Sequence, residues 1–344
     1  MTIGGNILSH FTQLENTGYE VRPARMDDLP AVVPMFNAAE AALHGAGDYT
    51  VERYTQEWQQ TGIDLVQSTR IVLAPEGNVV GCVELWDQFN PPARPWIWGR
   101  VHPNWEGRGI GSAMLEWALD TSRRALERLP EDARLAPHVA APASHRPSIE
   151  LFESLGMHCQ RVTWNMIRDL DGELAEPVLP PGYEIRTLRY PDELEAVYRA
   201  QDEAFSEHWG YVKRPFEEGF RFWKEMAFTA QRLKPELFYL AMRGEEIAGL
   251  ANAQERSDLD AGKGWIPALA VRKPHRRHGL GQALLLTAFH ALQARGVPRV
   301  GLSVDSENRS GATRLYERVG MRVELEMLSY EIELRPGREL AVMD

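Results

Sequence analysis

A segment that occurs twice does most to limit how this chain can fold. Val101-His102-Pro103-Asn104-Trp105-Glu106-Gly107-Arg108-Gly109-Ile110-Gly111 has a counterpart in Val271-Arg272-Lys273-Pro274-His275-Arg276-Arg277-His278-Gly279-Leu280-Gly281. Each follows an apolar, strand-like run and leads into a segment with helical periodicity. The repeat extends outward in the same order. Tyr19-Glu20-Val21-Arg22 returns as Tyr183-Glu184-Ile185-Arg186, and Leu151-Phe152-Glu153 returns as Leu315-Tyr316-Glu317, both at an offset of 164. Gly81 returns as Gly249 within similar apolar runs. Ordered matches at nearly constant offset imply two copies of one domain of about 150 residues.

The chain of 344 residues accommodates both copies. The expected division is a leader arm over 1–17, a first domain over 18–168, a linker over 169–181, a second domain over 182–336 and a tail over 337–344. The linker is assigned on its prolines (Pro177, Pro180, Pro181) and its acidic residues. Strands are expected at Tyr19–Arg22, Ile71–Leu73, Val79–Trp86 and Trp96–Val101, with a hairpin turn at Pro75-Glu76-Gly77-Asn78. Helices are expected after Asp27-Asp28 and over Ser112–Leu129. The second copy repeats the plan, with strands Leu237–Met242, Ile247–Gln254, Trp265–Val271, Val300–Val304 and Met327–Leu334. Its helices are expected after Asp192 and over Gln282–Arg295 and Ser310–Val319. The fold class is therefore α/β in the broad sense, strands and helices mixed in each half.

Charge and composition narrow the function. A net charge of −11 disfavours nucleic acid as the main partner. Two cysteines, Cys82 and Cys159, offer neither a disulfide framework nor a metal spacing. No apolar stretch approaches a membrane span, and no signal peptide pattern opens the chain. A cytoplasmic location with no membrane partner is expected, and the oligomeric state is left open.

The glycine loops bring glycines and cations to helix N-termini, where unpaired N–H groups and the helix dipole favour anions. A phosphate-binding loop of the Walker type is excluded, because neither loop has Gly-Lys-Ser or Gly-Lys-Thr. A dinucleotide fingerprint fails too, since Leu284 stands where the third glycine belongs. A tight strand-to-helix turn without ligand is the plain alternative. Arg276, Arg277 and His278 weigh against it, because a simple turn does not need cations beside a helix end that repels them.

In these residues the chain resembles the GNAT superfamily of N-acetyltransferases. The family motif Arg/Gln-x-x-Gly-x-Gly/Ala is matched in full by Arg276-Arg277-His278-Gly279-Leu280-Gly281. Glu106-Gly107-Arg108-Gly109-Ile110-Gly111 keeps the glycines but begins with an acid. A second family element, a strand, an Asn and a helix with Leu-Tyr, is matched by Val304, Asn308 and Leu315-Tyr316. The resemblance covers most of both halves. It implies two tandem domains, each a mixed, mostly antiparallel sheet flanked by helices, with one splayed parallel strand pair. It also implies acetyl-coenzyme A as co-substrate. The pantetheine arm would lie along Leu269 to Val271, and the amides of Arg277, His278, Gly279, Leu280 and Gly281 would take the pyrophosphate, with Arg276 and Asn308 beside them. A second candidate cofactor site would comprise Val101, Arg108, Gly109 and Gly111.

The implied reaction is attack by a primary amine on the thioester, with Tyr316 as the acid for the departing sulfur. The first copy carries Phe152 and Ser144 where the second has Tyr316 and Asn308, and phenylalanine cannot donate a proton. The second half is therefore expected to be catalytic and the first degenerate. Packing beside Leu315 is the alternative for Tyr316. Asp305, Glu203, Glu207 and His208 are base candidates by residue type alone, and a water chain would serve as well. Trp96, Trp98, Trp209, Tyr211 and Trp223 are read as core residues, with a substrate-pocket wall as the minor reading. His275 and His278 lack further ligands at metal spacing, so no metal is assigned. Two other functions stay open: a non-catalytic acyl-coenzyme A sensor or scaffold, and a transferase acting on a protein amine.

Overall fold

The computed structural model describes residues 10–228, 233–257, 259–308 and 311–343. Their helices are α1 (Thr12–Glu15), α2 (Leu29–His44), α3 (Val51–Trp58), α4 (Leu65–Ser68), α5 (Ile110–Ser122), α6 (Arg146–Ser154), α7 (Leu194–Phe205), α8 (Phe216–Phe228), α9 (Leu280–Gln293) and α10 (Ala312–Arg318). The strands are β1 (Glu20–Arg22), β2 (Thr69–Leu73), β3 (Val79–Trp86), β4 (Trp96–Val101), β5 (His138–Pro142), β6 (His158–Asp169), β7 (Glu184–Thr187), β8 (Phe238–Arg243), β9 (Glu246–Gln254), β10 (Gly264–Val271), β11 (Arg299–Asp305) and β12 (Arg322–Glu331). They form two compact units. Unit 1 holds residues 1–161 and 328–340, and unit 2 holds 162–327 and 341–344.

In unit 1 the strands run β1-β2-β3-β4-β5, with the second half of β12 beside β5. The β1/β2, β2/β3 and β3/β4 pairs are antiparallel, and β4/β5 is parallel. One face carries α5 and α6 over Val72, Val80, Leu85 and Ile97. The other carries α2 and α3 over Ile71 and Cys82. Unit 2 repeats this as β6-β11-β10-β9-β8-β7, with β10/β11 the parallel pair. There α9 and α10 cover one face and α7 covers the other. The expected mixed sheets with one parallel pair each are thus present.

The same device precedes α2 in unit 1 and α7 in unit 2. Arg22 pairs with Asp28 at 2.7 Å, and Arg186 pairs with Glu193 at 2.6 Å. Asp28 also accepts from the Arg25 N–H, so its carboxylate caps the turn before α2, and its pKa lies below the usual range chiefly because of Arg22.

Several boundaries differ from the sequence expectation. Of the leader arm, residues 1–9 lie outside the described residues, while Phe11 and Leu14 are buried in the unit 1 core. The segment read as a linker packs on unit 2: Leu170 and Leu174 join its core, and the Gln293 amide donates to the Leu170 and Gly172 carbonyls. The tail is held as well, because Val342 exchanges backbone hydrogen bonds with Gly210 and Tyr211 at 2.6 and 2.9 Å. The helix expected over Ser112–Leu129 ends at Ser122, whose Oγ bonds back to the Ala118 carbonyl before a 3-10 turn over Arg123–Glu127. Ser310, the expected start of α10, lies outside the described residues. The expected last strand, Met327–Leu334, is instead Arg322–Glu331. Among the described residues, no helix is long and apolar enough to cross a membrane.

Candidate functional site

The two glycine loops share one backbone. Each leaves its strand through a 3-10 turn, Pro103–Trp105 or Lys273–His275. Each ends at a left-handed N-cap glycine, Gly109 at φ 80° or Gly279 at φ 85°. Two residues earlier the backbone is left-handed again, at Gly107 (φ 73°) and Arg277 (φ 66°). Arg277 is the one non-glycine residue with positive φ among the described residues. Such a conformation costs on the order of 1 kcal/mol for a side-chain-bearing residue and recurs at functional sites. Left-handed residues within a turn gather successive N–H groups into an anion-binding concavity, and the first amides of α9 add their unpaired donors.

The loop glycines have different reasons. A Cβ on Gly279 or Gly109 would meet no protein atom within 4 Å, so within the fold itself the backbone conformation selects glycine there. A Cβ on Gly281 would stand 3.1 Å from Leu315 Cδ2, and one on Gly111 would stand 3.4 Å from Leu151 Cδ2. The expectation that Gly281 serves the ligand approach is therefore incomplete, because it also lets α9 pack against α10. Tyr183 and His275 meet edge-to-face at 5.8 Å, as Tyr19 and Trp105 do at 5.9 Å. The duplication thus extends to contacts behind the loops.

The cations divide into two roles. Arg276 does not aim at the loop amides. Its guanidinium donates to the Val271 carbonyl (3.0 Å), the Ala204 carbonyl (3.1 Å) and Glu207 (2.8 Å). It braces the loop against the end of α7. Lys273 joins Glu207 at 2.6 Å. Arg277 and His278 are exposed beside the amides. In unit 1, Arg108 lies 4.4 Å over the Trp105 ring, folded back along its own loop.

Behind the loops the parallel strands part. β10 pairs with β11 only at Gly264↔Val300 and Trp265↔Gly301, and β4 pairs with β5 only at Trp96↔His138. Beyond those points Leu269 and Val271 lie opposite β9 alone and no strand pairs with them on the side toward β11, where the Val271 carbonyl takes the Arg276 guanidinium. The β9/β10 register shifts between Trp265 and Ala268, whereas β3/β4 keep one register from Gly81↔Val101 to Trp86↔Trp96. The shift turns Ile266 toward α9 and Ala268 and Ala270 toward α7. These features, an exposed donor concavity and an open strand edge leading from it, fit a phosphate group carrying an extended amide-containing arm.

Tyr316 sits in α10, buried in the cluster that Leu269, Val271 and Leu315 pack against. Burial pushes its pKa up to about 12, so the hydroxyl keeps its proton. Phe152 in unit 1 packs on Tyr330 at 5.5 Å. Asn308 lies in the turn after β11, its N–H donating to the Asp305 carbonyl at 3.0 Å. Among the base candidates, Glu203 pairs with Arg272 at 2.9 Å, and Asp305 Oδ1 caps the Glu307 N–H. Lys273 and then Arg276 hold the Glu207 pKa below the usual carboxylate range. The His208 pKa is lowered, by desolvation first and Arg276 second, which favours neutral imidazole.

Unit 1 closes the sheet face under α2 and α3. Glu84 of β3 is buried and accepts from the Trp58 indole at 2.8 Å and the Trp86 indole at 3.0 Å. Desolvation pushes its pKa up to about 7. Trp98, opposite Glu84, packs edge-on to Phe36 at 4.5 Å. Trp98 is thus a packing residue as expected, while Trp96 is 40% exposed, against the core reading. In unit 2, Trp223 packs on the core, and the Tyr211 hydroxyl donates to Asp202 at 3.0 Å. Sequence reasoning did not single out Glu84 or the conformation of Arg277. Among the described residues, no group of three or more His, Cys, Asp or Glu side chains could hold a metal ion.

Comparison with known proteins gives a consistent picture. The model of the acetyltransferase (GNAT) family matches residues 37–157 and again 194–321. A mycothiol acetyltransferase of Thermobispora bispora is 31% identical over 255 residues, covering 73% of this chain and 79% of the relative. The crystal structure of a GCN5-related N-acetyltransferase from Sphaerobacter thermophilus is 31% identical, with a TM-score of 0.76 over 94% of this chain and 98% of that one. A tandem GNAT protein from the clavulanic acid biosynthesis pathway shares the fold at 15% identity, with a TM-score of 0.68 over 93% of this chain and 100% of that one.

Proposed function

Because the chain belongs to the acetyltransferase (GNAT) family, we propose that unit 2 moves the acetyl group of acetyl-coenzyme A to a primary amine of a small molecule. The co-substrate supplies an activated acetyl thioester. The amides of Arg277 to Gly281 bind its diphosphate, with Arg277 and His278 alongside. The open edge at Leu269 and Val271 pairs with the pantetheine arm, which fixes the arm's direction and excludes water from that edge. The neutral amine attacks the acetyl carbon, a C–N bond forms and the C–S bond breaks. The Tyr316 hydroxyl donates its proton to the sulfur, and the proton lost by the amine leaves through solvent or a neighbouring base.

One observation carries the assignment to unit 2: Tyr316 and Phe152 occupy equivalent places behind loops of the same shape, and only tyrosine has a proton to give. Arg276 acts in this reading as a brace for the loop. The first unit serves as a structural partner, since Trp58, Trp98 and Glu84 fill its corresponding sheet face. The relatives named for mycothiol support a small-molecule acceptor. Free thiol release from acetyl-coenzyme A, measured with amino sugars, amino acids, polyamines and a peptide N-terminus, tests the reading. Turnover of a small amine is expected. Turnover of the peptide alone would shift the acceptor class to protein, and cofactor binding without thiol release from any amine would favour a sensor.

A further inference from the structure

We propose that Asn252 is a binding residue for the acceptor amine, its side-chain oxygen taking a hydrogen bond from the amine N–H; this rests on the acetyl-transfer reading above. Asn252 lies on β9 and is 9% exposed, and its Oδ1 has no hydrogen-bond partner. Leaving a buried carbonyl oxygen unmatched is unfavourable, and native proteins avoid it unless a water, ion or ligand completes it.

Its position suits an acceptor. Asn252 stands directly across from Ala268 on β10 and from Phe238 on β8. Directly opposed residues share a face. Ala268 and Phe238 belong to the cluster under α7, so Asn252 is on that face too. Phe220 and Trp223 of α8 pack against the same cluster. An arm that enters at the loop amides and runs back past Val271 and Leu269 reaches the level of Ala268 after three residues, about 10 Å at the rise of a strand. The orphaned oxygen is therefore one strand away from where the reacting end would lie, across small side chains.

Unit 1 shows what the same place looks like when closed. Gly81 and Gly249 are equivalent, so Glu84 corresponds to Asn252. Trp98 stands where unit 2 has Ala268. Both Glu84 oxygens are occupied by indole N–H groups of Trp58 and Trp86. The catalytic unit keeps a small residue and an unsatisfied oxygen where the degenerate unit has a tryptophan and a satisfied carboxylate.

The test compares wild type with Asn252→Leu, which keeps the branched outline and removes the polar atoms, and Asn252→Asp, which keeps an accepting oxygen. Thermal midpoint, acetyl-coenzyme A affinity by calorimetry, and kcat and KM are measured, with glucosamine, cysteine and spermidine as probe amines. Asn252→Leu is expected to melt at or above the wild-type temperature, to bind acetyl-coenzyme A unchanged, and to raise the amine KM at least tenfold. Asn252→Asp should hold the amine KM within a few-fold of wild type. A lower melting point for Asn252→Leu would mean that the fold itself uses the amide and would overturn the proposal. So would an unchanged amine KM in an active enzyme. Wild-type protein that releases no thiol with any of the three amines would sink the small-amine reading, and this inference with it.

Discussion

Alanine at Gly279 and at Gly109 is a matched pair of perturbations. Both residues are left-handed N-caps, at φ 85° and 80°, and an added Cβ would touch nothing within 4 Å at either. The stability change is then backbone strain alone, about 1–2 kcal/mol for an L-residue in this region. For a unit of this size, that lowers the melting temperature by roughly 2–8 °C, and by the same amount for both variants. Function should separate them. At Gly279 the methyl intrudes where the diphosphate approaches the amides, and a lost hydrogen bond to a charged group is worth about 1.5–3 kcal/mol. Acetyl-coenzyme A affinity is expected to fall about 10- to 150-fold in Gly279→Ala and turnover at limiting cofactor to fall with it, while Gly109→Ala keeps both near wild type. Calorimetry and thiol release on both folded variants decide the matter. Loss confined to Gly109→Ala would reverse the assignment of the working unit, and equal losses would refute the division of labour.

Tyr316→Phe is expected to lower kcat about 10²- to 10⁴-fold with little change in cofactor affinity. Because the wild-type hydroxyl has its pKa pushed up to about 12, any alkaline limb well below that pH in the kcat profile must belong to another group, which a pH series on both proteins checks. Glu84 has a folded-state pKa of about 7, above an unfolded value of about 4.3. As pH rises between those values the unfolded chain releases a proton that the folded chain retains, so this residue's contribution to stability falls and then levels off. The melting temperature of Glu84→Gln relative to wild type should therefore increase from about pH 5 to about pH 8, and a flat difference would contradict the burial argument. Gly281→Ala and Gly111→Ala should differ in sign. At Gly111 the new methyl makes ordinary contact at 3.4 Å and gains helix propensity, about 1 kcal/mol, whereas at Gly281 Leu315 must yield from 3.1 Å. Differential scanning fluorimetry that finds equal shifts would remove the packing explanation.

The duplication made much of the fold legible. β3 and β4 begin and end where alternation and turn residues put them, because a hairpin is a local event. The glycine loops and Tyr316 stand out in the sequence for a similar reason: they lie in short contiguous motifs. Partnership in three dimensions was less visible. Arg276 reads as a phosphate ligand until Ala204 and Glu207, about 70 residues away in sequence, are seen to hold it. Asn252 is an unremarked polar residue in an apolar run until its burial and its missing partner are known. Arg277 gives no sign of its left-handed backbone except through comparison with Gly107. Phe11 and Leu14 lie in a stretch too short for periodicity to register, and only the core they complete explains them.

Unit 1 includes residues 328–340, which are made only after residues 162–327 of the other unit. Leu334 and Arg335 donate backbone hydrogen bonds to Leu135, and Arg94 meets Glu331 at 2.8 Å. During synthesis the first half of the chain therefore waits, its β5 edge unsatisfied, until residues 162–327 have been made. At about 5–20 residues per second that interval is on the order of ten seconds to half a minute. An open edge exposed for so long is a template for pairing with other chains. A nascent chain stalled or truncated after the linker would thus be a target for chaperones or aggregation, even though it contains every residue of the first repeat.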